Sequence, residues 1–417
     1  MRFALHRRLL PYYTTCRETR DRVFGVGFLV ILMHNPEAAP LPIVGLHVMS
    51  NHRPTIPSQN APATGAELAS AILGERSAIV LDVGARWGAE KAWWRLSPVA
   101  KLIGFEPDTA ECERLNAMHG DFKTDEHIPL ALSDSCGAAT LYVTSEPGCS
   151  SLYPPDVRLI DRYPELVCIR PEREVSVSCV TLDSWVDTRP EILDAIAFMK
   201  LDAQGAELKI LRRASKVLDK CAGLEVEVEF NPIYRGQPLF HEVDALLRSA
   251  GFSLWRLSDL CHYAELREGR TRGLGTTHYG GLDVVFGEGD GRLYWANALY
   301  LRDYAELPLD HRFVRMSLWL AALLDARRDL AGARACLERL FALAKNLGDA
   351  ERHVVRDYLV AISSRQATDP TRNASRDQIK RLIQENARLR AELSEDWKAR
   401  VARAVKFPRS PLPGRRR

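Results

Sequence analysis

The chain has 417 residues, 46% hydrophobic and 27% charged, with a formal net charge of +3 at pH 7. That composition suits one large globular domain with appendages, or two domains, and leaves room for a sizeable core. A balance this close to neutral gives no global attraction to nucleic acid, and nine cysteines without a C-x-x-C pair argue for a reduced, cytoplasmic protein with no zinc site.

Arg2, Arg7 and Arg8 precede an apolar run from Val23 to Met33, and Glu37-Ala38-Ala39 follows it. This imitates a signal peptide crudely. Arg17, Glu18, Arg20, Asp21 and Arg22 stand just before the run, however, and the run is too short to span a bilayer. Residues 50–63 have linker composition. Residues 1–63 are therefore expected to be a poorly ordered extension without stable membrane insertion. A cleaved signal and a natural start at Met49 are the alternatives.

From Gly65 the pattern is that of an α/β domain, expected to cover 64–300. Residues 65–74 suit a lead-in helix. A first strand over Ala78–Val83 ends in Asp82, and Gly84 and Gly88 follow before a helix over about 89–96. Glycines there let the backbone turn tightly over a ligand. A second strand over Lys101–Phe105 ends in Glu106-Pro107, with a helix over Thr109–Met118. A carboxylate at that place can accept hydrogen bonds from both ribose hydroxyls. A dinucleotide fold wants G-x-G-x-x-G for its pyrophosphate. The wider spacing of Gly84 and Gly88 better suits a ligand that carries an amino acid on its ribose, namely S-adenosylmethionine. A dinucleotide-dependent enzyme is the rival reading.

A third strand is expected over His127–Leu132, ending at Ser133-Asp134. Ala139–Val143 and Glu174–Val180 alternate and suit an added antiparallel hairpin. The irregular loop Gly148–Pro155 between them is long enough to be functional. A buried strand from Ile196 ends at Asp202, and a helix runs from Gly205 to about Leu218. Leu224–Phe230 is a strand that alternates apolar residues with Glu225, Glu227 and Glu229. A helix over Phe240–Ala250 is closed by Gly251. Phe252–Leu257 and Leu282–Phe286 are the expected last strands. Strands alternating with helices imply a Rossmann-like, doubly wound, mostly parallel seven-stranded sheet whose ligands lie at the carboxyl ends of the strands. Asp82, Glu106, Asp134, Asp202 and Glu229 all fall there.

Residues 301–367 read as a helical extension, with helices over 313–345 broken near Asp329 and another over 351–363. Within 376–400, Ile379, Leu382, Asn386, Leu389 and Leu393 fall at heptad spacing with Asn386 at an a position. A short coiled coil giving a homodimer through 379–393 is one reading, and a solvated helix face is the other. Residues 401–417 form a basic tail expected to be disordered.

Asp82-Val83-Gly84-Ala85 through Gly88, Phe105-Glu106-Pro107, Ala131-Leu132-Ser133-Asp134 and Lys200-Leu201-Asp202-Ala203-Gln204-Gly205-Ala206-Glu207-Leu208 follow one another in a specific order. Together with Glu227-Val228-Glu229-Phe230, Tyr234, Phe240 through Phe252, and Tyr294–Leu299, they resemble the FkbM family of S-adenosylmethionine-dependent methyltransferases over roughly 76–300. The resemblance implies a class I methyltransferase sheet and methyl transfer to a hydroxyl of a sugar, glycan or secondary metabolite. Arg86 departs from it, since the family has Asn there. Arg86 either binds the cofactor carboxylate or crowds the pocket.

The expected cofactor residues are Asp82, Gly84, Arg86, Gly88, Glu106, Asp134 and Asp202. Asp82 has a bracing role as its alternative, Asp134 a turn role, and Asp202 an N-cap role for the Gly205 helix. Glu207 is expected to serve the helix dipole. Asp202 and Glu229 are the candidate general bases, with His278, in a Gly-rich loop, behind them. The constellation requires no metal, with a carboxylate-held divalent ion as the alternative. A non-catalytic scaffold working through the C-terminal helices is the reading from another class.

Overall fold

The computed structural model describes residues 62–118, 125–263, 274–279, 282–287 and 291–368, apart from Arg76 and Glu90. The apolar run at 23–33, the heptad pattern at 379–393 and the basic tail lie outside the described residues.

The chain opens with α1 (Gly65–Leu73), β1 (Ala78–Val83), α2 (Lys91–Trp94), β2 (Ala100–Phe105), α3 (Thr109–Ala117), β3 (Asp125–Ile128) and β4 (Ala131–Leu132). Next come β5 (Gly137–Thr144), β6 (Pro171–Val180), α4 (Leu182–Asp187), β7 (Ile196–Leu201), α5 (Glu207–Leu211), α6 (Ser215–Lys220), β8 (Gly223–Glu229) and α7 (Phe240–Ser249). It ends with β9 (Phe252–Tyr263), β10 (Leu274–Tyr279), β11 (Leu282–Gly287), β12 (Arg292–Arg302), α8 (Phe313–Ala326), α9 (Leu330–Leu343) and α10 (Asp349–Thr368).

Seven strands form the main sheet in the order β3-β2-β1-β7-β8-β12-β9. The first five pair in parallel, whereas β12 runs antiparallel between β8 and β9. This is the doubly wound, mostly parallel seven-stranded sheet expected from the sequence. The central strands β1 and β7 are buried at every position. Residues on their two sides feed two separate cores, as the period of two in a strand requires. Ile79, Leu81 and Val83 join Leu224, Val226 and Val228 under α4–α7. Ala78, Val80, Phe198, Leu299 and Leu301 face α1, α8, α9 and α10.

Residues 301–367 carry the expected C-terminal helices, α8–α10, and these pack on the sheet as a second layer. The crossover after β1 is helical only over the four residues of α2, so α8 covers the sheet face there. In α8 every residue from Met316 to Ala326 is buried, Trp319 and Leu320 completely. α1 is tied to it at close range. The Gly65 amide donates to Asp325 Oδ2 at 2.7 Å, and Arg365 of α10 donates to Oδ1 of the same carboxylate at 2.7 Å. The break near Asp329 is as expected, since Asp329 caps α9 through the Gly332 amide at 2.9 Å.

Several boundaries differ. The strand expected over 127–132 is split: β3 joins the main sheet, while β4 joins a three-stranded sheet with β6 and β5. The β5/β6 hairpin is antiparallel, as the alternation predicts. The helix expected over 205–218 is two short helices, α5 and α6. Leu282–Phe286 is not the last strand of the sheet. It pairs with β10 in a separate two-stranded ribbon, and β12 takes its place in the main sheet. Among the described residues no helix is long and apolar enough to cross a membrane.

Candidate active site

The carboxyl ends of β1 and β7 meet through their backbones. The Asp202 amide donates to the Val83 carbonyl at 3.0 Å, and the Gly84 and Ala85 amides both donate to the Phe105 carbonyl at 3.0 Å. Gly84 has φ +78°, and a Cβ on it would lie 1.9 Å from the Asp202 carbonyl oxygen. No side chain fits there, and left-handed backbone favours glycine besides. The turn after β1 and the residue after β7 are therefore one rigid unit.

Glu106 follows β2 and is 4% exposed. Its Oε1 accepts from the Asp108 amide at 2.8 Å and faces Arg86 Nη1 at 3.5 Å. Burial pushes its carboxyl up, while the Asp108 amide and Arg86 pull it back. Arg86 also donates to Asp108 Oδ2 at 2.9 Å. It spans the two acids at the head of α3. Trp87 beside it has φ +72° and is 45% exposed, with its amide bonded to Glu111 at 3.2 Å.

On the α8 side of the sheet a line of charge runs across the strand ends. Asp82 and Asp202 flank Lys200, whose Nζ lies 3.8 Å from Asp82 Oδ1 and 3.3 Å from Asp202 Oδ2. Gln204 carries the line onward. Its Nε2 donates to Asp202 Oδ1 at 2.9 Å and to Glu227 Oε2 at 3.0 Å, while the Tyr234 hydroxyl lies 2.8 Å from its Oε1. Its backbone is left-handed at φ +53°, and Ser151 Oγ donates to its carbonyl at 2.6 Å. A non-glycine residue held so is over-determined by its surroundings.

These acids are unlike one another. Burial acts to raise Asp202, but Lys200 and hydrogen bonds from Glu227, Gln204 and Lys200 outweigh it and bring the carboxyl down to about 2. Burial, reinforced by the Asp202 charge, pushes Glu227 well above the ordinary carboxylate range. Glu229, 3% exposed, is raised in the same way by burial and by Glu207 and Asp202. Burial raises Glu207 to about 7 against the amides that hold it, among them that of Ala203 at 2.7 Å. The site thus sets one acid whose proton affinity is lowered beside neighbours whose proton affinity is raised, which is how acid and base roles are separated.

The structure therefore brings Asp82, Gly84, Gly88, Arg86, Glu106, Asp202 and Glu229 to one edge of the sheet. Asp134 follows β4, where Ser133 Oγ lies 3.3 Å from its Oδ1. His278 stands on β10, paired with Asp283, and its side chain lies outside the described residues. Sequence reasoning gave no role to Lys200, Gln204 or Tyr234, and read Glu227 only as the polar side of a strand. The available signal was the pair of polar residues Asp202 and Gln204 just after an apolar strand. Among the described residues no group of three potential ligands could hold a metal ion.

Residues 82–254 match the model of the Methyltransferase FkbM domain. A 2-O-methyltransferase, NoeI of Sinorhizobium fredii, is 26% identical over 182 residues, covering 42% of this chain and 73% of the relative. Two solved structures also align. The magnesium protoporphyrin IX methyltransferase ChlM of Synechocystis, with bound SAM, has a TM-score of 0.27 at 11% identity, covering 57% of this chain and 76% of its own. A TehB-like SAM-dependent methyltransferase of Corynebacterium glutamicum has a TM-score of 0.22 at 8% identity, covering 58% and 88%. The order of motifs, the sheet and the family match converge on one statement: this chain carries an FkbM-family methyltransferase domain, extending over residues 82–254.

Proposed function

We propose that the chain transfers the methyl group of S-adenosylmethionine to a hydroxyl of a sugar, glycan or secondary metabolite. The observation that carries the cofactor is the Gly84 turn resting on the Asp202 carbonyl, with buried Glu106 at the next strand end. A cradle closed to every Cβ beside a carboxylate fits a ribose that bears an uncharged-edge base and an amino acid. When bound, S-adenosylmethionine supplies a methyl group already activated by the sulfonium. Glu106 accepts the ribose hydroxyls in this reading, and Arg86 keeps Glu106 ionised for that purpose. Asp82, Lys200 and Asp202 form the floor under the amino-acid end.

The protein's remaining work is to align the acceptor oxygen and to take its proton. Positioning alone can supply several kcal/mol. Glu229 and Glu227 have the raised affinity for protons that a base working near neutrality needs. Asp202, held ionised, orients the acceptor rather than storing the proton. The 2-O-methyl chemistry in the relative's name supports oxygen as the acceptor atom.

Calorimetry with S-adenosylhomocysteine tests the cofactor, and Glu106→Ala should weaken binding by about 1.5–3 kcal/mol for each charged hydrogen bond lost. Unchanged affinity in the folded variant would remove Glu106 from the site. One observation favours the scaffold reading: Arg86 already occupies Glu106 at 3.5 Å. If that contact closes the pocket, Arg86→Asn should bind more tightly than the wild type. If Arg86 serves the ligand, the same variant should bind equally or less well. A homodimer through 379–393 is also part of this proposal. Light scattering should compare the full chain with one ending at Thr368, because a shorter chain would lose the Arg365–Asp325 pair.

A further inference from the structure

The segment after β5 touches the site at three places. Gly148 lies against the Trp87 indole, where a Cβ would come within 3.4 Å of Nε1. The Cys149 carbonyl lies 2.6 Å from the Tyr234 hydroxyl, which also faces Gln204. Ser151 donates to the Gln204 carbonyl. Loop 145–151 is thus the wall that connects the cofactor turn with the residues after β7.

A second segment runs along this wall. The Ser145 amide donates to the Arg170 carbonyl at 2.9 Å, and the Glu146 amide donates to the Cys168 carbonyl at 3.1 Å. Ser145 Oγ adds bonds to the Val167 and Cys168 carbonyls at 2.8 and 3.2 Å. This backbone pairing brings Cys149 and Cys168 side by side. Both stand as thiols, both are partly exposed, and both pack on the same cluster of Tyr163, Tyr234, Cys261 and Tyr294. Their sulfurs are in hydrogen-bonding contact.

We propose that Cys149 and Cys168 are a redox-active pair whose disulfide clamps loop 145–151 over the carboxyl ends of the strands. The hydrogen bond between them makes the roles unequal: it holds the Cys149 thiol well up and pulls the Cys168 thiol down. Cys168 is therefore the attacking sulfur and Cys149 the resolving one. The oxidant is a low-molecular-weight disulfide. The Cys168 thiolate breaks its S–S bond, forms a mixed disulfide and releases one thiolate. The Cys149 sulfur then displaces the second thiolate and closes the protein disulfide. The two protein protons end on the two released thiols; the pair is oxidised and the small disulfide reduced. Cys261, fully buried, is the neighbouring thiol that could compete.

Full-length protein is equilibrated with glutathione disulfide, alkylated, digested and mapped by mass spectrometry, and its amide exchange is compared before and after. The expected product is a Cys149–Cys168 cross-link that dithiothreitol reverses, with amides 146–151 exchanging at least about tenfold more slowly. Cys149→Ser should stop at glutathione attached to Cys168. A cross-link from Cys168 to Cys261, glutathione left on wild-type Cys168, or a correct cross-link with unchanged exchange would each overturn the proposal. These readouts are thiol chemistry and amide exchange, so they stand or fall independently of methyl transfer.

Discussion

The two sides of β8 are buried alike and built from opposite materials. Leu224, Val226 and Val228 are fully buried against α5–α7, while Glu225, Glu227 and Glu229 are 4%, 8% and 3% exposed on the other side. The apolar side is held by area removed from water, and any well-shaped neighbour will do. On the acid side each carboxylate depends on particular groups from elsewhere in the chain. Glu225 meets Arg327, just past α8, at 2.6 Å, Glu227 meets Gln204 and Glu229 lies beside Gln237. One strand thus separates stability without address from polarity with an address. The three glutamates also grade along the strand from an ion pair under α8 to acids of raised proton affinity at the open end.

The comparison breaks most visibly at Glu225. Glu225→Ala leaves the half-buried Arg327 guanidinium without its carboxylate, and should lower unfolding free energy by about 3 kcal/mol. Leu224→Ala, one residue away on the apolar side, should lose about 3 kcal/mol through transfer and cavity terms. Urea denaturation measures both. A loss under about 1 kcal/mol for Glu225→Ala would mean that water already screens the pair.

A pH series sharpens the difference between ionised and protonated acids. Glu207 has a folded pKa of about 7 against an ordinary value of 4.5, so the folded state holds its proton more tightly than the unfolded chain. Its contribution is complete below the unfolded value and is lost as pH rises through 7. Wild-type stability should fall relative to Glu207→Gln by about 2 kcal/mol between pH 5 and 7.5. Parallel curves for the two proteins would show that Glu207 titrates normally. The smallest effect is expected at Glu227. Glu227→Gln keeps the side chain's shape and its hydrogen-bonding reach to Asp202 and Gln204, so stability should stay within about 1 kcal/mol. Methyl transfer by the same variant should fall at neutral pH if Glu227 takes the acceptor proton. Full activity with unchanged pH dependence would leave Glu229 as the base.

What could be read from the sequence follows from range. Ile79–Gly88 declares itself because a buried strand, an acid and two glycines are consecutive, and the Gly84 contact with Asp202 explains why the second motif accompanies it. The β5/β6 hairpin was legible from alternation alone. The link through Gln204 to Tyr234 was not, because it joins residues whose spacing carries no periodic signal. Leu282–Phe286 reads as a last strand from its apolar run, yet β12 is the strand that pairs with both β8 and β9. Helical periodicity located α8–α10 but said nothing of which sheet face stood bare. That depends on α2 being too short to cover it.

The shared core of α1 and α8–α10 has a consequence for synthesis. The ribosome releases β1, β7 and β12 before α8 exists, so Val80, Phe198 and Leu299 emerge without the layer that will cover them. Domains fold as units during translation, and uncovered apolar faces recruit chaperones or one another. Here the waiting period lasts until residue 326 has left the exit tunnel, and a premature stop before that point yields a sheet finished on one side only. The last helices, α8–α10, therefore complete the second sheet face only late in synthesis.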